Sequence, residues 1–289
     1  MHMQAVKIIE CPRDAMQGIK DWIPTEKKVQ YIQSLLRCGF DTIDFGSFVS
    51  PKAIPQMVDT AEVLSQLDLS ETKSKLLAIV ANVRGAEAAV QHSEIAYLGY
   101  PFSISENFQM RNTHKTIDQS IGILQEILDL ADANDKEVVT YLSMGFGNPY
   151  GDPWNVEIVG DWAARLSGMG VKILSLSDTV GTSDPETIDY LFSNLIPKYP
   201  HIEFGAHLHT TPTSWHEKVD SAYQAGCRRF DGAIQGFGGC PMAKDELTGN
   251  MPTEKLISFF TSEKVDHQVA PMSFESAHNE ATKIFTKYH

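Results

Sequence analysis

Two histidines two residues apart, His207 and His209, close the apolar run Phe204-Gly-Ala-His207-Leu-His209. Alternate side chains of a strand share a face, so both imidazoles can reach one ion. Taken alone, the pair fits better as two hydrogen-bonded polar residues at a strand end. Its companions change that reading. Arg13-Asp14 follows the apolar run Ala5–Glu10, and Asn250 lies in the long loop after the run Arg229–Ala233. If these runs are the first, seventh and eighth strands of a closed barrel, Asp14, His207, His209 and Asn250 come from neighbouring strands and form a candidate metal cage. Imidazole and oxygen ligands with positions left for water suit a catalytic Mg2+, Mn2+ or Zn2+ better than a structural zinc.

Arg13 beside Asp14 has a commoner meaning, an exposed ion pair. At the end of a first strand the guanidinium would instead face substrate, where a fixed positive charge holds a carbonyl or enolate oxygen. A second segment, Gly236-Phe-Gly-Gly-Cys240-Pro, has three glycines in four residues and reads as a mobile lid. For Cys240 two readings stand open, a small buried hydrophobe and a thiol that exchanges protons near a metal.

The elements that must position these groups follow from periodicity. Eight short β-rich runs, Ala5–Glu10, Thr42–Gly46, Leu76–Ala81, Glu94–Tyr100, Glu137–Ser143, Lys172–Ser177, Ile202–His209 and Arg229–Ala233, alternate with helical spacing near 25–37, 54–66, 85–91, 113–133, 155–168, 184–196, 213–225 and 252–261. Eight parallel units predict an α/β fold, the (β/α)8 TIM barrel. An open doubly wound sheet would need a glycine-rich turn after an early strand, and Glu10-Cys-Pro-Arg-Asp14 is unlike one. Gly39, Gly170 and Gly226 sit where left-handed helix caps are wanted. We expect one barrel domain over 1–289, with roughly 263–289 a weakly periodic C-terminal extension packed on the barrel or reaching a neighbouring subunit.

Composition narrows the partners. A net charge of -13 without a basic cluster argues against nucleic acid, and no apolar run is long enough to span a membrane. The start lacks the basic and apolar segments of an export signal. Cys11, Cys38, Cys227 and Cys240 show neither the density nor the pairing of disulfides or a thiolate zinc site, so a reducing cytoplasm is expected.

Six segments together resemble the 3-hydroxy-3-methylglutaryl-CoA lyase family: Glu10-Cys-Pro-Arg13-Asp14-Ala-Met-Gln17, Ser47-Phe-Val-Ser-Pro51-Lys52-Ala-Ile-Pro55-Gln56-Met57, Ser105-Glu-Asn107, Asp178-Thr-Val-Gly181, His207-Leu-His209 and Gly236-Phe-Gly-Gly-Cys240-Pro. The resemblance implies a metal-dependent carbon–carbon lyase acting on an acyl-CoA, with Asp14, His207, His209 and Asn250 as ligands of Mg2+ or Mn2+, with Zn2+ as the third option. It implies that Arg13 polarises the substrate oxygen and that Cys240 moves protons. Gln17, Lys52 and Asn107 join Arg13 as substrate-binding residues, and a homodimer is expected. Asp44 and His207 are the candidate bases. Asp44 stands where the family usually has Glu, Gly18 where it has Asn, and Thr210 where an Asp commonly follows the second histidine, which removes an expected acceptor for a ligand imidazole. The alternatives are a synthase or aldolase of the same group acting on a 2-oxo acid, and a barrel that binds without catalysis.

Overall fold

The structure, a computed structural model, describes residues 5–239 and 248–288. Eight parallel strands close into a barrel: β1 (Lys7–Glu10), β2 (Thr42–Ser47), β3 (Lys75–Ile79), β4 (Ile95–Ser103), β5 (Glu137–Ser143), β6 (Ile173–Ser177), β7 (Glu203–His207) and β8 (Arg229–Gly232). β1 pairs with β8, Lys7 opposite Arg229 and Glu10 opposite Gly232, so the sheet has no open edge. Each run read from the sequence overlaps one strand. The runs are apolar because helices cover the outer face while Leu77, Val139, Tyr141 and Ile173 cluster apart from that outer layer. Gly39, Gly170 and Gly226 have φ of 88°, 96° and 102°, the left-handed turns expected before strands.

Three expectations about helices change. The predicted helix at 113–133 is Ile117–Asp132, and a separate helix not expected from the sequence, Glu106–Thr113, precedes it. His114 turns left-handed, and Thr116 with Gln119 forms a reciprocal capping box that starts the second helix afresh. The span 54–66 divides into a 3-10 turn, Pro55–Met57, and a short helix, Thr60–Ser65. The polar segment after 263 contains an 18-residue helix, Pro271–Tyr288. Its buried stripe is Ala277, Ala281, Ile284 and Phe285, and the two alanines hide the period from a reading based on large side chains. This helix packs on the barrel, with Phe285 edge-on to Tyr31 at 6.0 Å and Phe274 edge-on to Phe40 at 6.2 Å.

Glu10, fully buried at the end of β1, accepts hydrogen bonds from Thr253 Oγ1 at 2.5 Å and the Ile234 amide at 3.0 Å. Burial raises its carboxyl from the ordinary 4.5 to about 8, against the lowering effect of those bonds. The folded state therefore binds the proton more tightly. Stability from this group is complete below about 4.5 and is lost as pH rises towards about 8. Glu10→Gln keeps the shape without the charge and is expected to flatten the fall in Tm between about pH 4.5 and pH 8. Parallel Tm profiles for the two proteins would refute this.

Candidate active site

Pro12 at the first turn, with its φ set in advance, starts a six-residue helix, Pro12–Gln17, directly after β1. Arg13 and Asp14 thus stand on a helical turn at the C-terminal mouth of the barrel. Gln17, three and four residues on, shares their face. Its amide donates to Asp14 Oδ1 at 2.7 Å and accepts from Arg13 Nη1 at 3.0 Å. The Arg13 Nε and Nη2 groups close on both oxygens of Asp44 in β2, with Nη2 to Oδ2 at 2.5 Å, and Nη1 reaches Asp14 Oδ1 at 3.1 Å. Burial alone would weaken the guanidinium's hold on its proton, but Asp44 and Asp14 outweigh it and keep Arg13 charged. Burial raises the Asp44 carboxyl to about 6 even with Arg13 beside it. Asp14, against the same burial effect, is held below its ordinary value by Arg13 and His207.

Arg13 is therefore neither an exposed ion pair nor a free side chain, but a buried cation gripped on its far side by Asp44. Asp44 is 0% exposed and spends both oxygens on Arg13, so it positions Arg13 and does not face the cavity.

β7 stops at His207. His209, expected within the same strand, pairs instead in a two-residue antiparallel ribbon with Asn250 directly opposite. The ribbon brings Asn250 to Asp14, Nδ2 to Oδ2 at 2.6 Å, with a second bond to the Phe237 carbonyl at 2.8 Å. Donor atoms of Asp14, His207 and His209 all lie within 4.8 Å of one another. Both ring nitrogens of His209 are buried and, among the described residues, lack a hydrogen-bond partner, the Thr179 backbone lying near the ring without completing a bond. Burial and neighbouring His207 push the His209 pKa down to about 4, leaving a neutral imidazole. An unpartnered ring lone pair on His209 beside an ionised carboxylate is what a bound cation would satisfy. The donor set fits a divalent ion.

His207 Nδ1 pairs with Asp231 Oδ2 at 3.0 Å. The β7–β8 register, Ala206 opposite Phe230, carries His207 level with Asp231. The acceptor expected to be missing because of Thr210 is thus supplied by another strand. Burial pulls the His207 pKa down, and the bond to Asp231 more than reverses it. Asp231 was not among the candidate residues, although its place two residues after Arg229 in an apolar run is the available signal. Lys218 was also missed: buried, it binds Asp178 Oδ2 at 2.8 Å and the His209 carbonyl at 2.9 Å, fixing the ribbon from behind.

Arg13, Asp14, Gln17, His207 and His209 line a cavity of about 330 Å³ whose other walls include Val49, Ile54, Phe108, Tyr141, Ser143, Thr179 and Gly239. Lys52 is exposed, two residues from Ile54 at the rim. Asn107 points elsewhere, its amide donating to Asp152 Oδ1 at 2.5 Å, which ties the loop after β4 to the loop after β5. Cys240 lies outside the described residues. The loop leading to it is described as far as Gly239. At Gly238, with φ of 85°, an added Cβ would stand 2.6 Å from the Asp14 carbonyl oxygen and 2.9 Å from Asn250 Nδ2. Gly238→Ala is expected to displace two candidate ligands and lower metal affinity about tenfold or more, measured by titration of the metal-free protein; unchanged affinity would refute the close packing.

The HMGL-like family profile matches residues 5–280. The chain belongs to the HMGL-like family. A cytoplasmic 3-hydroxy-3-methylglutaryl-CoA lyase of Mus musculus is 34% identical over 255 residues, 87% of this chain and 73% of that protein. The solved HMG-CoA lyase of Bacillus subtilis superposes with a TM-score of 0.92 at 30% identity, covering 99% of this chain and 95% of its own. An HMG-CoA lyase of Acinetobacter baumannii, solved with coenzyme A and 3-methylmalate, superposes with a TM-score of 0.89 at 27% identity over 98% and 92% of the two chains. Membership in the HMGL-like family agrees with the resemblance read from the six segments.

Proposed function

We propose that this member of the HMGL-like family cleaves the C2–C3 bond of 3-hydroxy-3-methylglutaryl-CoA, or of a close 3-hydroxyacyl-CoA, to acetyl-CoA and acetoacetate. The observation that carries the reading is one cavity faced by a locked guanidinium and by the Asp14, His207 and His209 cluster. The ion would be Mg2+ or Mn2+, with Zn2+ as the third option, held by Asp14, His207, His209 and Asn250. Asn250 would join through Oδ1, since Nδ2 is committed to Asp14 and Phe237. When bound, such an ion supplies Lewis acidity that eases loss of the substrate's hydroxyl proton.

The rest falls to the chain's own groups. Asp44, Asp14 and Gln17 engage the Nε and Nη1 hydrogens of Arg13 and one on Nη2, leaving one N–H of its five to meet the thioester oxygen as negative charge develops there. A base removes the hydroxyl proton, the C2–C3 electron pair passes to the thioester as an enolate, and a proton returns to C2. Of the two candidate bases, His207 faces the cavity and Asp44 does not. With Nδ1 on Asp231, His207 has Nε2 alone to give, either to the ion or to the hydroxyl proton. Cys240 remains the proposed donor to C2. Lys52, exposed by the rim, is suited to the CoA phosphates. Gln17 acts through Arg13 and Asp14, and the proposed substrate role of Asn107 becomes one of holding the cavity wall through Asp152.

Among the described residues no helix is long and apolar enough to cross a membrane. A cytoplasmic protein is supported by the free thiols Cys11, Cys38 and Cys227, and the homodimer rests on the family resemblance. Purified protein should release acetoacetate and acetyl-CoA from 3-hydroxy-3-methylglutaryl-CoA when Mg2+ or Mn2+ is present and stop on chelation. In His207→Asn, turnover lost with metal retained assigns the base, whereas loss of both assigns a ligand. Condensation of acetyl-CoA with a 2-oxo acid, without cleavage, would overturn the proposal in favour of a synthase.

A further inference from the structure

The His207 imidazole belongs to two donor clusters. Besides the one with Asp14 and His209, a donor atom of His207 lies within 4.8 Å of both Cys11 Sγ and an Asp231 carboxylate oxygen, and those two lie within 4.8 Å of each other. The barrel closure builds this second group. Cys11 follows β1 and its amide donates to the Gly232 carbonyl of β8 at 2.8 Å, while Ile9 stands opposite Asp231. Cys11 is 1% exposed and Asp231 2%, and among the described residues the thiol makes only a long contact, 3.8 Å, to the Ile9 carbonyl. Asp231 Oδ2 serves His207, but Oδ1 is buried with no hydrogen-bond partner among the described residues. A carboxylate oxygen left bare in the interior is costly unless something is there to be bound.

The chemistry of the two clusters differs. Asp14, His207, His209 and Asn250 offer only nitrogen and oxygen, whereas Cys11, His207 and Asp231 offer sulfur, nitrogen and oxygen. Thiolate favours softer ions, and a Cys, His, carboxylate set with one position left over matches the ligands of zinc. We propose that Cys11, His207 and Asp231 form a second metal site, for thiophilic divalent ions of the zinc class, that shares His207 with the lyase site and is inhibitory when filled. The part played by His207 in turnover rests on the function proposed above; the site itself does not. On binding, the Cys11 thiol releases its proton to solvent and a metal–sulfur bond forms. The ion takes the place of the proton between His207 Nδ1 and Asp231 Oδ2. The neutral imidazole then carries its proton on Nε2, which can no longer serve the reaction.

Titration of the metal-free full chain with Co2+ tests this without any assay of turnover. A thiolate-to-cobalt charge-transfer band in the near ultraviolet is expected, lost in Cys11→Ser and in Cys11→Ala, weakened in Asp231→Asn, and kept in Cys240→Ser. Circular dichroism of each variant separates loss of the site from loss of the fold, and two Cys11 variants guard against one that does not fold. In the wild type Zn2+ should inhibit Mg2+-supported cleavage, with potency about ten- to a hundredfold weaker in Cys11→Ser. Absence of the band, or its loss in Cys240→Ser with retention in Cys11→Ser, would overturn the site. A band without any cleavage activity would leave the site standing and refute the lyase.

Discussion

Arg13→Lys is expected to lower kcat on the order of a hundredfold or more, the usual cost of a lost donor to transition-state charge. An ammonium cannot reproduce a planar cation that grips both Asp44 oxygens, touches Asp14 and Gln17, and keeps one Nη2 hydrogen for substrate. Arg13→Met should add a loss of stability, because it strands a carboxylate at 0% exposure; breaking one side of a buried pair commonly costs roughly 3–5 kcal/mol. Asp44, whose carboxyl sits near 6, can soften that loss by taking up a proton. The double variant Arg13→Met with Asp44→Asn should therefore recover thermal stability and none of the turnover. If activity returns with stability, Arg13 is a scaffold residue and its catalytic role is wrong.

The second large effect is expected at His209. Its two buried nitrogens have no partner among the described residues, so without metal the imidazole's polar atoms add nothing to the fold. His209→Leu should leave the Tm of the metal-free protein equal or higher. Addition of Mn2+ should raise the Tm of the wild type, by about 2.7 kcal/mol of stability at a hundredfold excess over Kd, and leave the variant unmoved. Cleavage should fall to background, and bound metal should drop by more than the roughly ten- to hundredfold typical of losing an outer partner. A histidine kept for structure behaves oppositely: the leucine variant would melt earlier and still respond to Mn2+.

Much of the architecture was legible because barrel strands are short, apolar and regularly spaced, and Gly39, Gly170 and Gly226 mark the turns into them. The nearness of Asp14 to His207 was legible for the same reason, as closure makes first and last strands neighbours, whereas the ribbon that pairs His209 with Asn250 was not. What stayed hidden depends on register and direction. Asp231 meets His207 only because β7 and β8 align Ala206 with Phe230, and no local pattern states that alignment. Asp44 looked like a candidate base because its residue type was read without its direction; in the fold both oxygens turn to Arg13. Cys11 appeared as one of four scattered thiols, and its proximity to His207 and Asp231 is a product of closure. The C-terminal helix was hidden by its own composition, alanines filling the positions where large side chains would have revealed the stripe.

That helix has a consequence in time. Phe285 stacks on Phe237 with ring centroids 4.2 Å apart, and Thr282 Oγ1 accepts from Gln235 at 2.6 Å, so residues near the end of the sequence clamp the glycine-rich segment that supports Asn250. The ribosome delivers a chain from its N-terminus, and Arg13 and Asp14 emerge more than two hundred residues before the strand that closes on them. Contacts of such long sequence separation form late and slowly. During synthesis the nascent chain must therefore carry its charged first turn unshielded. The corner that holds the proposed ligands is set only when residues 271–288 have left the ribosome and docked, so a metal bound there would arrive after that step and would not guide the early folding of the barrel.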